Sequence, residues 1–292
     1  MIMSSSSSYS SSSSVLIPLN PSLGREEGKS GDLQGDLVIP KDPSGIILFC
    51  HGSGSGRHSK RNRFVAEALN KDGLATLLVD LLTFEEEQAD RRAQKMQCKI
   101  PGLLLNKFNV KLLARRVIAI TEWISSNDDT KNLILGYFGA STGTAAALIA
   151  AAIVGSNIKN KNEFRLEEEA LKQGGRVQGE QTELEAHNSS KVQLGVIVSR
   201  SGRPDLAGQD NLAQVKVPTL FIVGGNDHGQ VMSWNKEALK YLGSEKKKLV
   251  VIPKASHLFE EPGTLEEVAR IASGWFRCYF QILQHEQQNS KL

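Results

Sequence analysis

The chain has 292 residues, of which 40% are hydrophobic and 23% charged, a composition typical of a soluble globular protein. Its formal net charge of +3 is too small for this length to indicate a nucleic-acid surface, and no apolar run reaches the roughly 18 residues of a membrane span. The three cysteines and six histidines lack the paired spacing of a zinc site. These features predict a cytoplasmic protein with free thiols and exclude a nucleic-acid partner, a membrane anchor and a bound metal.

The first residues, MIMSSSSSYSSSSSVLIPL, are dominated by serine. Because such a tract buries little apolar surface, we expect residues 1–30 to form a disordered tail. The tract lacks the basic start and sustained apolar core of a secretory signal. An organellar transit peptide would be serine-rich and poor in acids, as this segment is, but it should carry arginine, and the first one is Arg25. A disordered tail is therefore favoured over a transit peptide.

From Gly31 onwards, short apolar runs alternate with amphipathic stretches. This alternation predicts an α/β domain over residues 31–292, with a mostly parallel sheet covered by helices on both faces. The predicted helices span residues 63–70, 110–125 and about 265–283, the first of them capped by Ser59. The predicted strands are continuous or nearly continuous apolar runs at residues 37–39, 46–50, 75–79, 133–138, 195–199, 219–223 and 249–252.

Two segments interrupt this alternation. Residues 81–108 follow a predicted strand and show no clear periodicity, whereas residues 156–191 form a polar insertion between a helix and a strand. In parallel α/β sheets, ligands bind beyond the carboxyl ends of the strands. Residues 81–108 leave such an end and can border a pocket. Residues 156–191 should emerge at the opposite end of the sheet, away from a pocket.

The strongest motif is GYFGASTGTAAALIAAA, which begins at Gly136. An apolar strand leads into GASTG at residues 139–143 and an alanine-rich helix follows, so G-x-S-x-G stands in the strand–turn–helix context of a nucleophile elbow. Gly139 and Gly143 allow the strand and the helix to cross closely, and the helix N-terminus favours negative charge beside Ser141. The motif predicts that Ser141 is a catalytic nucleophile rather than an incidental serine in a glycine-rich turn.

A serine nucleophile needs a base and an acid, and proteins with this elbow carry them in the chain order Ser, Asp or Glu, His. His257 is the best-placed base, because its loop follows the last predicted strand and precedes the last helix. The predicted acid is Asp227, in VGGNDHGQ directly after a strand. Asp205, in SRSGRPDL after the preceding strand, is its rival. His228 is interpreted as a neighbouring loop residue.

A second glycine-rich loop, HGSGSG at residues 51–56, also follows a strand. It does not fit the Walker phosphate loop, which needs Lys and then Ser or Thr after its last glycine, and Arg57 breaks the G-x-G-x-x-G pattern. Beside a nucleophile elbow, such a loop donates one backbone N–H to the oxyanion hole, and the residue after the nucleophile donates another. The predicted donors are the backbone N–H groups of Ser53 and Thr142.

Basic residues follow two of the predicted strands, at residues 46–50 and 195–199. Arg57 and Arg203 are candidates for binding a substrate carboxylate, because arginine contacts carboxylates through two parallel hydrogen bonds. Solvated charge at the surface is an equally good interpretation, and the sequence leaves it open. Lys60 and Arg61 are interpreted as solvated residues at a helix start, and Cys50 as a core residue at the end of a buried strand.

With these residues, the sequence resembles the dienelactone hydrolase-like branch of the α/β-hydrolases over residues 35–280. The resemblance rests on HGSGSGRHSKRNRFVA, GYFGASTGTAAAL, VSRSGRPDLAG and ASHLFEEPGTLEEVA. It implies a sheet of about eight strands, hydrolysis of small esters or lactones without a cofactor, and a triad of Ser141, Asp227 and His257. Dienelactone hydrolases proper use a cysteine nucleophile, so Ser141 departs from their pattern. Serine-bearing relatives resemble proteins that sometimes accompany phosphoribosyltransferase domains.

The sequence therefore predicts a serine hydrolase without a cofactor, whose partner is a small ester or lactone that can be anionic. A thioesterase or acyltransferase with the same triad is the alternative within enzymes. A catalytically silent α/β-hydrolase-fold module that binds a protein through its polar insertion is the alternative outside them. The sequence does not predict the oligomeric state.

Overall fold

The computed structural model describes residues 9–19, 31–96, 105–155 and 193–290. Within these ranges, eight strands form one sheet in the order β1-β2-β4-β3-β5-β6-β7-β8. β2 is antiparallel to its neighbours β1 and β4, and all other pairs are parallel. The prediction of a mostly parallel sheet is therefore confirmed. The strands are β1 (Tyr9–Ile17), β2 (Leu33–Pro40), β3 (Ile46–Cys50), β4 (Ala75–Val79), β5 (Leu135–Ala140), β6 (Leu194–Arg200), β7 (Thr219–Gly224) and β8 (Lys247–Ile252).

Helices cover both faces of the sheet, because its central strands are apolar on both sides. α1 and α7 pack on one face, and α3 to α6 pack on the other. No helix in the described ranges is both long and apolar enough to cross a membrane. The helices are α1 (Lys60–Lys71), α2 (Phe84–Met96), α3 (Val110–Ser126), α4 (Thr142–Gly155), α5 (Gln209–Gln214), α6 (Gly229–Tyr241) and α7 (Thr264–Asn289), with 3-10 turns at Asn106–Phe108 and Pro204–Ala207.

Part of the serine-rich N-terminus forms the edge strand β1, so the expectation of disorder is wrong for Tyr9–Ile17. β1 pairs with β2 along its whole length, and the backbone groups that face β2 thereby find hydrogen-bond partners without help from the serine side chains. Ile17 is fully buried and Val15 packs against the same core, so the apolar end of the tract anchors the strand. Residues 1–8 and 20–30 lie outside the described ranges.

The polar insertion at residues 156–191 also lies outside the described ranges, but both of its attachment points are described. α4 begins beyond the carboxyl end of β5 and runs back along the sheet to Gly155. β6 begins at Leu194, which lies opposite Leu135 at the start of β5. The chain therefore leaves and re-enters the described structure near the amino ends of the strands. The position of the insertion itself stays a prediction.

Candidate active site

Ser141 is the single residue between β5 and α4, and its backbone is held in an unusual conformation. Its φ of 50° lies in the left-handed region, which costs a residue other than glycine about 1–3 kcal/mol. Two backbone hydrogen bonds hold it there. The Ser141 N–H donates to the Arg200 carbonyl over 3.3 Å, and the Arg203 N–H donates to the Ser141 carbonyl over 3.0 Å. This is the geometry of a nucleophile elbow.

The glycines around the elbow are required by close contacts, as the sequence predicted. A Cβ atom on Gly139 would lie 2.6 Å from the Thr144 Cα, and one on Gly143 would lie 2.1 Å from the Cys50 carbonyl oxygen. Both distances are far shorter than van der Waals contact, so a side chain at either position would push α4 off the sheet. The elbow is therefore tight because its flanking residues have no side chains.

His257 and Asp227 meet at the carboxyl edge of the sheet, from the loops after β8 and β7. The His257 Nδ1 atom lies 3.0 Å from each carboxylate oxygen of Asp227. The Asp227 side chain is fully buried, whereas that of His257 is 30% exposed. A buried carboxylate on Nδ1 holds the proton on that nitrogen and leaves Nε2 to act as a base.

The Asp227 carboxylate receives two further hydrogen bonds. The Ser201 hydroxyl donates to Oδ2 over 2.5 Å, and the His228 backbone N–H donates to Oδ1 over 2.7 Å. Burial works to raise the pKa of Asp227, but the hydrogen bonds from His257, Ser201 and His228 outweigh it and hold the pKa below its usual range. Asp227 is therefore ionised at neutral pH. Ser201 was not singled out from the sequence, although it lies in the quoted SRSGRPDL stretch.

Asp205, the rival acid, and His228, the second loop histidine, make different contacts. Asp205 forms hydrogen bonds with the Arg203 guanidinium, from Nε over 2.9 Å and from Nη2 over 2.8 Å, and none of its described contacts is with His257. The His228 ring lies 6.4 Å from the His257 ring, between centroids, and His228 is the N-cap residue of α6. The geometry therefore favours Asp227 over Asp205.

A cavity of about 500 Å³ brings five of the seven predicted site residues together. Ser141 and His257 line it with Ser53, Thr142 and Arg203. Within the described residues, no group of three His, Cys, Asp or Glu side chains could hold a metal ion. The other lining residues are mostly apolar, and apart from His228 none of them was singled out from the sequence. They are Phe108, Leu206, His228, Gln230, Val231 and Trp234.

The loop at residues 51–57 is fastened at both ends to the end of β4. The buried His51 accepts a hydrogen bond from the Leu81 N–H at Nε2 over 2.9 Å, and its Nδ1 donates to the Gly52 carbonyl over 3.0 Å. Burial lowers the pKa of His51, so the ring stays neutral and keeps this tautomer. At the other end, Asp80 accepts the Arg57 backbone N–H over 2.7 Å and also binds the Arg57 guanidinium.

These contacts correct the prediction that Arg57 binds substrate. Its guanidinium is paired with Asp80 and lies 3.6 Å from Asp36, and Arg57 is not among the residues that line the cavity. The sequence could not show this, because Asp36 and Asp80 come from two other strands. Arg57 fastens the loop and does not face the cavity.

Arg203 does line the cavity, but its charge is already matched. Besides its ion pair with Asp205, its guanidinium lies over the Trp234 ring, 3.8 Å from the ring centroid. Stacking and pairing hold the group flat against one wall. Arg203 therefore contributes a rigid, largely neutralised surface.

The segment at residues 81–108 reaches the cavity through Phe108, as its position after a strand predicted. The Asp90 carboxylate accepts the backbone N–H groups of Asn106 and Lys107, each over 2.9 Å, and so fixes the turn that carries Phe108. In the same segment, Glu86 of α2 pairs with the buried Arg116 of α3 over 2.5 Å. Residues 97–104 lie outside the described ranges.

No family model matches the chain, but solved structures do. The crystal structure of a dienelactone hydrolase from Anabaena variabilis is 42% identical, covers 92% of this chain and 98% of its own, and superposes with a TM-score of 0.69. The chain belongs to the dienelactone hydrolase family. The structure of Est1E from Butyrivibrio proteoclasticus is 14% identical, covers 92% of this chain and 99% of its own with a TM-score of 0.60, and shows the α/β-hydrolase fold alone.

Curated proteins from two strains of Mycobacterium tuberculosis resemble this dienelactone hydrolase family member over 242 residues, with 44% identity. Their names provisionally assign them to the phosphoribosyl transferases. The match covers 83% of this chain and 43% of theirs, so the chain spans less than half the length of these relatives.

Proposed function

We propose that this member of the dienelactone hydrolase family is a serine hydrolase that cleaves small carboxylic esters or lactones through an acyl-enzyme. Ser141 is the nucleophile, His257 the base and Asp227 the acid. The observation that carries the proposal is the placement of a strained serine and a histidine on one cavity, with a buried carboxylate 3.0 Å from the Nδ1 of that histidine.

The chemistry follows from this arrangement. His257 removes the Ser141 hydroxyl proton as Oγ bonds to the carbonyl carbon, and the carbonyl π electrons move to oxygen. The tetrahedral oxyanion collapses, and the alcohol leaves with the proton from His257. His257 then takes a proton from water as the water oxygen bonds to the acyl carbon. The acid leaves as the bond to the Ser141 Oγ breaks, and Oγ receives the proton from His257. Asp227 stays ionised throughout and stabilises the transient imidazolium.

The cavity favours uncharged substrates with an apolar group. Its wall of Phe108, Leu206, Val231 and Trp234 offers apolar contacts, and Phe108 and Leu206 are only partly buried, at 46% and 37% exposed. Arg203 is bound to Asp205, so an anionic substrate would have to compete with a bidentate carboxylate already in place. We therefore place small aliphatic or aryl esters ahead of anionic ones.

Two measurements on the purified protein test the proposed function. A fluorophosphonate probe should label Ser141, and a panel of p-nitrophenyl esters, lactones and acyl thioesters should include esters or lactones among the best substrates. A clear preference for thioesters, or acyl transfer to an added alcohol in place of hydrolysis, would favour the thioesterase or acyltransferase alternative. A folded protein that neither reacts with the probe nor turns over any substrate would be a silent module.

Phe108→Ala should narrow the substrate range. The change removes apolar contact from one wall, and a pocket contact of this kind is worth about 1–3 kcal/mol, so kcat/KM for p-nitrophenyl butyrate should fall about tenfold or more. The shorter acetate should lose much less. Phe84→Ala is the matched control, because Phe84 is 64% exposed and does not line the cavity. Equal losses for both esters would show that Phe108 supports the fold rather than the acyl group.

Arg203→Met should lower kcat/KM for neutral and for anionic esters to the same degree. Methionine keeps apolar contact with Trp234, and a partly exposed ion pair such as that with Asp205 is worth about 0–1 kcal/mol, so kcat/KM should fall by about fivefold at most. The measurement compares p-nitrophenyl butyrate with the hemisuccinate of p-nitrophenol. A selective rise in KM for the hemisuccinate would instead give Arg203 the carboxylate-binding role that the sequence left open.

A further inference from the structure

One of the two predicted oxyanion donors is already engaged. The Ser53 backbone N–H donates to the Thr142 Oγ1 atom over 2.9 Å, and both residues line the cavity beside Ser141. A hydroxyl that accepts a hydrogen bond through a lone pair keeps its own proton to donate. Within the described residues, the Thr142 hydroxyl proton has no acceptor, although Thr142 is only 6% exposed.

We propose that the Thr142 hydroxyl is itself a donor of the oxyanion hole, and that Ser53 acts through it. The inference rests on the proposed serine hydrolase function. As the Ser141 Oγ bonds to the carbonyl carbon and its proton passes to His257, the carbonyl oxygen gains the π electrons. Thr142 donates hydrogen bonds to that oxygen from its N–H and its O–H and gives up neither proton. The Ser53 N–H polarises the hydroxyl and makes it a stronger donor.

The position of Thr142 supports this role. It is the first residue of α4, where a backbone N–H has no acceptor within the helix and the helix dipole favours negative charge. The loop backbone touches the nucleophile, since a Cβ on Gly52 would lie 2.9 Å from the Ser141 Cβ. His51 and Asp80 fasten this loop on both sides, which keeps the Ser53 N–H directed at Thr142.

Thr142→Val and Thr142→Ser separate the hydroxyl from the shape of the side chain. Valine keeps the β-branched shape and removes the hydroxyl, so the rate of fluorophosphonate labelling and kcat for p-nitrophenyl acetate should both fall about 100-fold or more. KM should change by less than about threefold, because the ground-state carbonyl carries little charge. Thr142→Ser should stay within a few-fold of the wild type. Thr142→Ala replaces the valine variant if that variant does not fold, as judged by circular dichroism and Tm.

A transition-state analogue distinguishes an oxyanion donor from a residue that only supports the structure, because its Ki depends on how well the oxyanion is stabilised. A trifluoromethyl ketone forms an oxyanion adduct with the nucleophile, so its Ki should rise in Thr142→Val by the same factor by which kcat/KM falls. The Ki of the product acid should stay unchanged.

The opposite results would overturn the inference. If the Ser53 N–H contacts the oxyanion directly, Thr142→Val frees that N–H, and labelling and turnover stay at the wild-type rate or increase. This outcome refutes the role of Thr142 while the proposed hydrolase function stands, because the wild type is still labelled. Failure of the probe to label the folded wild type would overturn both.

Discussion

Ser141→Ala is expected to abolish labelling by fluorophosphonates and to lower kcat for p-nitrophenyl esters about 10⁶-fold, the loss seen when the nucleophile of a serine protease triad is removed. Alanine cannot form the acyl-enzyme, so only cavity binding and oxyanion stabilisation would contribute to the residual rate. The fold should survive, because alanine can adopt the left-handed φ of 50° at a free-energy cost similar to that for serine.

The control for this variant is Ser126→Ala. Ser126 lies at the exposed end of α3, and its hydroxyl bonds only the Trp123 carbonyl among the described contacts. Labelling and turnover should be unchanged in this control. A Ser141→Ala protein that hydrolyses esters at the wild-type rate would show that the nucleophile lies elsewhere, and the proposed triad would have to be abandoned.

Asp227→Asn is expected to lower kcat about 10⁴-fold, as in a triad whose acid is replaced by its amide. The asparagine amide can donate to the His257 Nδ1 atom, which moves the proton of the neutral ring to Nε2, where it blocks removal of the Ser141 proton. The imidazolium that forms during attack also loses its carboxylate. KM should change little, because Asp227 does not line the cavity.

Asp205→Asn is the matched comparison, because it removes the charge of the rival acid. Its effect on kcat should be several orders of magnitude smaller, since Asp205 contacts Arg203 and not His257 in the described structure. Steady-state kinetics of both variants, with Tm measured alongside, show whether Asp227 or Asp205 is the acid. A larger loss of kcat in Asp205→Asn than in Asp227→Asn would assign the role of the acid to Asp205, in the loop after β6.

The central sheet and the elbow could be predicted from the sequence because local signals specify them. β3 is an unbroken apolar run and β4 is interrupted only by Thr76, and the observed bounds, Ile46–Cys50 and Ala75–Val79, are those predicted. GASTG stands directly between an apolar strand and an alanine-rich helix, so the position of Ser141 in an elbow could be predicted from a local motif. His257 and Asp227 followed from chain order and strand ends, which are topological rules of the fold.

Long-range contacts explain what the sequence did not predict. β1 is composed largely of serine, and it becomes a strand because β2 offers an unpaired edge and Ile17 reaches the core. α2 has a polar sequence with weak apolar periodicity, and its Glu86 bonds the buried Arg116 of α3. Arg57 and Arg203 looked alike in the sequence, but their surroundings differ. Arg57 is paired with carboxylates from distant segments, whereas Arg203 is paired with Asp205 two residues away and stacks on the Trp234 ring of α6.

The sheet order has a consequence for how heat would inactivate the protein. Among the described residues, β8, whose loop carries His257, pairs with β7 alone and is the outermost strand on its side, while Ser141 follows a strand in the middle of the sheet. An outermost strand with exposed residues such as Val251 opens at a lower free energy than the interior of the sheet. Under the proposed function, we therefore expect warming to separate His257 from Ser141 while most of the molecule is still folded, so that esterase activity is lost below the Tm.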